Sequence, residues 1–176
     1  MVCDTRRVVL QEELLHWFLE HGADPSARLN YRPFSSTALD SAAAFGTIDL
    51  VKLLLQHGAS LSNSTPLQSA AMSPLEDADR IPMLEYLLGL TSLDINAGDK
   101  DIVGIHYQVG PPINAALKKP HMQRVRWLLG RGAVPNIGAI HQGRRLKRYQ
   151  GMEEPLKALE EARREMGLED VPEYDL

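Results

Sequence analysis

Six histidines and one cysteine are the side chains of this sequence best suited to bind a metal or to act as nucleophiles. Histidines that bind zinc from one helix stand four residues apart, and no pair here has that spacing. A single cysteine excludes a disulfide within the chain and any multi-cysteine zinc or iron–sulfur site. We therefore expect no metal and no other cofactor. The residues are Cys3, His16, His21, His57, His106, His121 and His141.

Motifs that would indicate catalysis are also absent. The sequence has no Gly-x-Ser-x-Gly elbow, phosphate-binding loop or Gly-x-Gly-x-x-Gly fingerprint. The paired carboxylates Asp77 and Asp79 lie in a run that reads as solvated, without the apolar pocket that raises the pKa of a catalytic acid. Residues 99–101 resemble the start of a calcium loop, but Val103 and Gly110 occupy positions where ligands are needed. We predict that the protein is not an enzyme.

Localisation follows from what the chain lacks. No apolar run approaches the roughly 18–20 residues of a membrane span. The N-terminus has no apolar core of the kind found in signal peptides. Together with the single cysteine, these features predict a protein of the cytoplasm, the nucleus or both.

Two short phrases recur along the chain and indicate internal repetition. One phrase contains an apolar pair, two variable residues and then Gly-Ala, and the copy at 84–92 is a weaker variant of it. Its copies lie at 15–24, 51–60, 84–92 and 125–134. The other ends in small residues and precedes the last three copies, at 37–43, 65–71 and 111–117. The apolar pairs are 36, 33 and 41 residues apart, which is typical of stacked repeat proteins.

Each unit reads as a pair of short helices. Thr37 and its counterpart Thr65 are predicted to cap the first helix through their hydroxyl groups. The small residues 42–43 allow a second helix to approach closely. Gly46 is predicted to end the first helix in the left-handed conformation, and Gly58 to end the second. Because such a pair cannot bury its own apolar face, neighbouring units must stack.

The order Thr-Ala-Leu-x-x-Ala-Ala, Gly and Leu-Leu-x-x-Gly-Ala at residues 37–62 resembles the ankyrin repeat. The likeness extends over about residues 9–136. It implies an all-α ankyrin-repeat solenoid of helix–turn–helix units with β-turn fingers and degenerate capping helices at both ends. It also implies a single domain, 1–176, with a degenerate first repeat at 1–29 and repeats at 33–62, 63–96 (insertion 73–82) and 97–136 (long finger). A basic loop at 137–152, a capping helix at 153–167 and an acidic tail at 168–176 complete it.

The sequence departs from the family pattern at one recurrent position. The histidine that follows Thr-Pro-Leu in ankyrin repeats is replaced by Asp40, Gln68 and Asn114. The hydrogen bonds of that histidine are therefore expected to be missing or replaced. His21 and His57 share another position, before Gly-Ala, where we predict a structural role in the turn.

In ankyrin repeats the fingers and the C-terminal ends of the first helices line a concave binding face. The resemblance therefore implies a groove that runs from apolar and aromatic to basic. Its partner would be another protein, with a segment of hydrophobic and acidic residues. The groove positions are Ala44, Phe45, Met72, Ser73, Lys118 and Lys119, and the finger positions are Tyr31, Phe34, Tyr107 and Gln108. The implied function is non-catalytic: an adaptor, a scaffold or a regulatory subunit.

Charge is strongly segregated, although the formal total is only −4. Residues 102–152 hold nine basic and no acidic side chains, and residues 153–176 hold three basic and nine acidic ones. Two interpretations stay open for the basic region 118–148. It binds nucleic acid or anionic lipid through phosphate groups, or it pairs with the chain's own acidic end. The densest cluster is Arg144, Arg145, Lys147 and Arg148.

Overall fold

The computed structural model describes residues 12–31, 34–90, 92–98, 110–118, 121–146 and 153–172. These residues form nine helices and one two-stranded hairpin. In chain order they are α1 (Glu12–Glu20), β1 (Arg28–Tyr31), β2 (Phe34–Thr37), α2 (Ala38–Phe45), α3 (Ile48–Gln56), α4 (Pro66–Met72), α5 (Asp77–Leu88), α6 (Pro112–Ala116), α7 (Met122–Gly130), α8 (Ile137–Leu146) and α9 (Glu153–Glu165).

The helices form two rows. The first helices of successive units, α2, α4, α6 and α8, pack against one another in sequence order. The second helices flank them, and each of α3, α5, α7 and α9 packs against the first helix of its own unit. The first helices approach most closely between α2, α4 and α6, where paired alanines face the neighbouring unit. Over these three units, the first helices are packed more closely than the second helices.

One hydrophobic core runs through the stack. The first helices α2, α4 and α6 each contribute a buried aliphatic side chain from the same position of the repeat: Leu39, Leu67 and Ile113. The second helices α3, α5 and α7 each contribute the first leucine of the apolar pair: Leu54, Leu87 and Leu128, all fully buried. Burying each such side chain contributes about 1.5–3 kcal/mol. The recurrent phrases of the sequence therefore mark the core, and the all-α repeat architecture is confirmed.

Helix termini follow the predictions in part. Thr37 caps α2, since its hydroxyl accepts from the Asp40 backbone N–H at 3.1 Å, and the Asp40 carboxylate accepts from the Thr37 N–H at 2.9 Å. Thr65 does not cap α4 with its side chain. Its backbone N–H instead donates to the carboxylate of Asp40 at 2.6 Å. The second helices α3 and α7 end at Gly58 and Gly132, whose φ values of 88° and 89° favour glycine.

Gly46 ends α2 for a different reason from the one predicted. Its φ is −96°, so it is not left-handed. A side chain at this position would lie 3.0 Å from the Ala42 carbonyl oxygen and 3.0 Å from Leu50 Cδ1. Glycine is needed here because α2 and α3 meet too closely for a Cβ atom.

The prediction of a basic loop over 137–152 is wrong for residues 137–146, which form α8. The Asn136 side chain accepts from the Ala139 N–H at 2.8 Å and so caps the helix. Ala139 and Ile140 are fully buried. Gly143 allows Leu156 of α9 to pack against α8, since a Cβ there would lie 3.0 Å from Leu156 Cδ1. Helices α8 and α9 therefore form another pair, where a loop and a capping helix were expected.

The insertion predicted over 73–82, between the helices of its unit, is helical from Asp77 onward. Helix α5 takes up these residues and is 12 residues long, compared with nine in α3. Pro82 lies inside it. The extra turn carries Asp77 and Arg80, two polar residues whose side chains are directed into the stack.

Two buried arginine side chains cap the C-terminal ends of first helices in the preceding units. Arg80 donates to the carbonyl oxygens of Ala43 and Gly46, at 2.8 and 2.9 Å. Arg124, which has no exposed side-chain surface, donates to the four carbonyl oxygens of Ala70, Ala71, Ser73 and Leu75 at 2.8–3.3 Å. The last carbonyls of a helix have no partner within it. Each arginine thus caps a helix of the unit before its own.

Asp77 supplies the counter-charge of Arg124. Its carboxylate lies 2.9 Å from the guanidinium, and only 14% of the Asp77 side chain is exposed. Burial lowers the pKa of Arg124, and the charge of Asp77 opposes that shift. Asp77 is therefore a structural partner in the stack and not the solvated carboxylate that the sequence suggested.

Replacing Arg124 with methionine is expected to destabilise the fold by about 3–5 kcal/mol, because it leaves buried carbonyls and the Asp77 carboxylate unpaired. The measurement is urea unfolding followed by circular dichroism. Arg126→Met is the matched control, since Arg126 lies on the same helix with 63% of its side chain exposed. Equal unfolding midpoints for the two variants would contradict the capping role.

Candidate functional site

Three side chains lie at or just beyond the ends of three successive first helices, and Phe45 stands one position later in its repeat than Met72 and Lys118 do in theirs. Phe45 is the last residue of α2, Met72 is the last residue of α4, and Lys118 follows the end of α6. All three are half-buried, so each keeps part of its surface open to solvent. Met72 packs on the hydrophobic core. Along the stack, these helix ends therefore carry one aromatic, one aliphatic and one basic residue, in that order. We call this set the inner row.

Two of the predicted groove residues are not available to a partner. Ala44 has 7% of its surface exposed and Ser73 has 1%. The Ser73 hydroxyl donates to the Ala44 carbonyl oxygen at 2.5 Å and accepts from the Leu75 N–H at 3.2 Å. Their prediction as contact residues is corrected, because both positions are used to join α2 and α4. Lys119 lies outside the described residues.

The first finger is an antiparallel hairpin of β1 and β2. Tyr31 pairs with Phe34 next to the turn, and Arg28 pairs with Thr37 at the open end. The guanidinium of Arg28 donates to the carbonyl oxygen of Asn63 in the following unit. The two predicted finger residues of this hairpin therefore lie at its tip. Tyr107 and Gln108, predicted on a later finger, are outside the described residues.

The position that carries histidine in ankyrin repeats is used here to join neighbouring units. Asp40 accepts from the Thr65 N–H. Gln68 donates to the Ala97 carbonyl oxygen at 3.1 Å. Asn114 accepts from the side chain of Asn136 at 3.1 Å. Of the two outcomes expected, missing or replaced, the structure shows other hydrogen bonds at all three positions. The partner lies in the next unit or, for Asn136, caps the first helix of that unit.

Burial raises the pKa of Asp40, and the hydrogen bonds from Thr37 and Thr65 oppose that shift. Arg28 also opposes it through its positive charge. Since burial is the largest cause, the folded protein holds the proton of this carboxyl group more tightly than an exposed aspartate would.

Further contacts between units were not predicted. The Ser26 hydroxyl accepts from the Ser60 N–H at 2.8 Å, across two turns. Asn96 makes an equivalent bridge to the following unit. Its side chain donates to the Gly132 carbonyl oxygen and accepts from the Val134 N–H. Both bridging residues stand two positions after an aspartate that accepts their own backbone N–H. An aspartate two residues before a polar residue is the sequence signal that would have identified them.

His21 lies in the turn where a structural role was predicted. Its Nδ1 atom is 2.7 Å from the Trp17 carbonyl oxygen, and its ring stacks on the Trp17 indole at 4.1 Å. His57 places its ring edge-on to His16, with 6.0 Å between the ring centroids.

Several side chains of the basic region 118–148 are held within the fold. Arg126 pairs with Glu154, and Arg131 with Glu85. Arg144 pairs with Glu160 at 3.2 Å and donates to the carbonyl oxygens of Val171 and Pro172 at 2.8 and 2.9 Å. Arg145 is exposed, whereas Lys147 and Arg148 lie outside the described residues. The acidic end of the chain therefore supplies partners for part of this basic region.

In the described part of the chain, no three histidine, cysteine, aspartate or glutamate side chains gather as a metal-binding group would. Among the helices of that part, none is both long and apolar enough to cross a membrane.

The sequence was compared with models of known protein families. A family model for ankyrin repeats, in three copies, matches residues 8–101, which is more than half of the chain. No curated protein matches the sequence. Helices α6 to α9 lie beyond the matched range and continue the same arrangement of stacked pairs.

The buried carboxyl of Asp40 predicts a specific dependence of stability on pH. Burial raises the pKa of Asp40 in the folded state above 3.8. The protonated carboxyl group therefore stabilises the fold relative to the unfolded chain, and this stabilisation is fully present below pH 3.8. The contribution is lost as the pH rises through the folded-state pKa. We therefore expect the wild type to lose stability relative to Asp40→Asn as the pH rises from about 4.

The measurement is the free energy of unfolding in urea, taken for both proteins across this pH range. Asp49→Asn, which removes an aspartate with 78% of its side chain exposed, controls for the loss of one carboxylate. A wild type that gains stability relative to Asp40→Asn over the same range would show that the hydrogen bonds outweigh burial.

Proposed function

The chain belongs to the ankyrin-repeat family, and we propose that it binds a partner protein through the inner row and the first finger. Ankyrin repeats are in general protein–protein interaction modules. The finer proposal is that this protein acts as an adaptor, scaffold or regulatory subunit with no catalytic role of its own. The observation that carries it is the inner row, formed by Phe45, Met72 and Lys118.

The geometry of the row suggests the shape of the partner. Packed helices are separated by about 8–10 Å, so three successive first helices place their ends over roughly 16–20 Å. An extended chain advances about 3.3 Å per residue. A segment of about six residues in extended conformation would therefore reach all three side chains.

The chemistry of the row suggests the composition of that segment. Phe45 and Met72 offer apolar surface that a hydrophobic side chain of the partner could cover. Lys118 offers a positive charge to an aspartate or glutamate further along. Aromatic anchors in partly enclosed positions carry much of the energy of protein interfaces, so Phe45 is proposed as the main anchor. The partner segment then has an apolar residue followed, about four to six residues later, by an acidic one.

The alternative, binding to nucleic acid or anionic lipid through 118–148, has less support. Arg124 is buried within the stack. Arg126, Arg131 and Arg144 have carboxylate partners within the chain. A phosphate ligand would have to compete with these contacts.

Peptides that bind the full chain can be selected from a displayed library of random sequences. Enriched peptides should carry an apolar residue followed by an acidic one. Phe45→Ala should weaken their binding about tenfold or more, as measured by fluorescence anisotropy. Lys157→Glu, which reverses a lysine with 77% of its side chain exposed on α9, should leave binding unchanged.

A charge exchange tests the basic end of the row. Lys118→Glu should weaken binding of the selected peptide, and replacing the acidic residue of the peptide with lysine should restore it. The restoration matters because a variant that merely disturbed the fold would not be rescued. Failure of both Phe45→Ala and the charge exchange to alter binding would place the interface elsewhere.

A further inference from the structure

Helix α1 presents apolar side chains that the proposed interface does not use. Leu14 has 38% of its surface exposed, Trp17 has 51% and Phe18 has 38%. Their spacing of i, i+3 and i+4 places them on one side of the helix. The ring of His21, in the turn after α1, stacks on the Trp17 indole and extends this side. We call the set of Leu14, Trp17 and Phe18 the α1 face.

The other units show what covers the positions of Leu14 and Phe18. These two residues stand 36 positions before Leu50 and Leu54 of α3, which have 4% and 0% of their surface exposed. The equivalents of Phe18 in the next two units are the fully buried leucines of α5 and α7. Each of α3, α5 and α7 packs against the first helix of its own unit, whereas no first helix precedes α1 among the described residues. The α1 face is therefore open where a helix packs in the other units.

Negative charge surrounds the α1 face. Residues 12–27 contain four acidic side chains and no lysine or arginine. Glu12 and Glu13 line the same surface depression as Leu14. At the other end of the helix, Glu20 is exposed. A partner that covers the apolar side chains therefore also needs positive charge beside its own apolar residues.

Charge disfavours a second copy of this chain as the occupant. In a symmetric dimer the same surface lies on both sides of the interface. The carboxylates of Glu12, Glu13 and Glu20 would then approach those of the other copy, and like charges brought together oppose association. The charge pattern favours a different chain.

The residues that precede α1 are poorly suited to cover it as a helix. Residues 2–9, which lie outside the described residues, stand 36 positions before those of α2. Four of these eight residues are valine or threonine, whose β-branched side chains lower helix propensity. Arg6 and Arg7 stand where α2 has Ala42 and Ala43, which have no exposed surface. The sequence therefore favours a helix from another protein.

From these observations we propose that the α1 face binds an amphipathic helix of a partner protein, with apolar residues on one side and lysine or arginine beside them. The helix lies against α1 as α2 lies against α3. Since α2 has eight residues, a partner helix of about two to three turns is long enough. Its basic residues pair with Glu12 and Glu13. The inner row, by contrast, takes an extended segment with an acidic residue, so the two surfaces differ in place and in chemistry.

The probe is a helical peptide of about 15 residues, made of leucine, lysine and alanine with all leucines on one side. It is titrated into the full chain carrying Trp127→Phe, in which Trp17 is the one remaining tryptophan. We expect the Trp17 emission to move to shorter wavelength and to saturate, because the indole leaves water. Two control peptides should not give a saturating shift. One has glutamate in place of lysine, and the other has the same composition with the leucines spread around the helix.

Substitutions on α1 should weaken binding of the leucine–lysine peptide, measured by fluorescence anisotropy of a labelled copy. Phe18→Ala should weaken it about tenfold. Ile137→Ala is the matched control, since it truncates an apolar side chain of α8 with 57% of its surface exposed. Glu13→Gln, at an exposed position that the fold does not depend on, should weaken binding about threefold. Asp49→Asn, which removes an exposed carboxylate from α3, should leave it unchanged.

Four results would overturn the proposal. One is a shift that does not saturate or that the peptide with spread leucines gives equally. Another is affinity that neither Phe18→Ala nor Glu13→Gln changes. A third is a dimer in sedimentation equilibrium that Phe18→Ala dissociates, which would assign the face to a second copy. The fourth is strong protection of Trp17 from acrylamide quenching in the free monomer, which would show that the chain itself covers the face.

The inner row is tested separately in the same assay. Phe45→Ala should leave binding of the leucine–lysine peptide unchanged, because Phe45 lies at the end of α2 and not on α1. Failure of the inner-row proposal and failure of this one therefore give different results.

Discussion

The stack depends on how the first helices end. Helices α2 and α4 stop without a left-handed residue, and their last carbonyl groups have no partner in their own helix. Arg80 and Arg124 supply the missing donors from the following unit. A buried carbonyl without a partner is costly. The end of one unit is therefore stable only when the next unit is in place, which is nearest-neighbour coupling through hydrogen bonds as well as through apolar contact.

The opposite ends of the first helices are joined in a related way. Asp40, Gln68 and Asn114 each reach the next unit near the start of a first helix or its preceding turn. Helices α2 and α4 are thus held at both ends by their neighbours. Because Phe45 and Met72 stand at one of these ends, their backbone positions are set before any partner arrives. A surface that is already ordered loses less conformational freedom on binding, which suits the inner row to a short extended segment.

Much of this architecture was predictable from the sequence, because the repeat imposes the same requirements several times. Gly58 and Gly132 end equivalent helices, and the apolar pairs before them form the core. The prediction failed where a single contact between distant residues decides the structure. Residues 137–146 look like a loop because glycine and arginine are frequent there. They form a helix because Asn136 caps it and Gly143 accommodates Leu156. The site is less predictable still: Ser73 occupies the repeat position of Phe45 but is buried, with its hydroxyl bonded to the Ala44 carbonyl oxygen.

The basic and acidic segments of the sequence are in contact in the structure. The basic region and the acidic end of the chain meet through Arg126 with Glu154 and Arg144 with Glu160. Exposed ion pairs contribute little to stability, so these ion pairs alone do not hold the last helix pair in place. The firmer contacts are those of arginine with backbone carbonyls, as Arg144 makes with Val171 and Pro172, and Arg163 with Pro135. The last pair is therefore attached by the same device as the inner units, an arginine side chain that satisfies carbonyl groups of another segment.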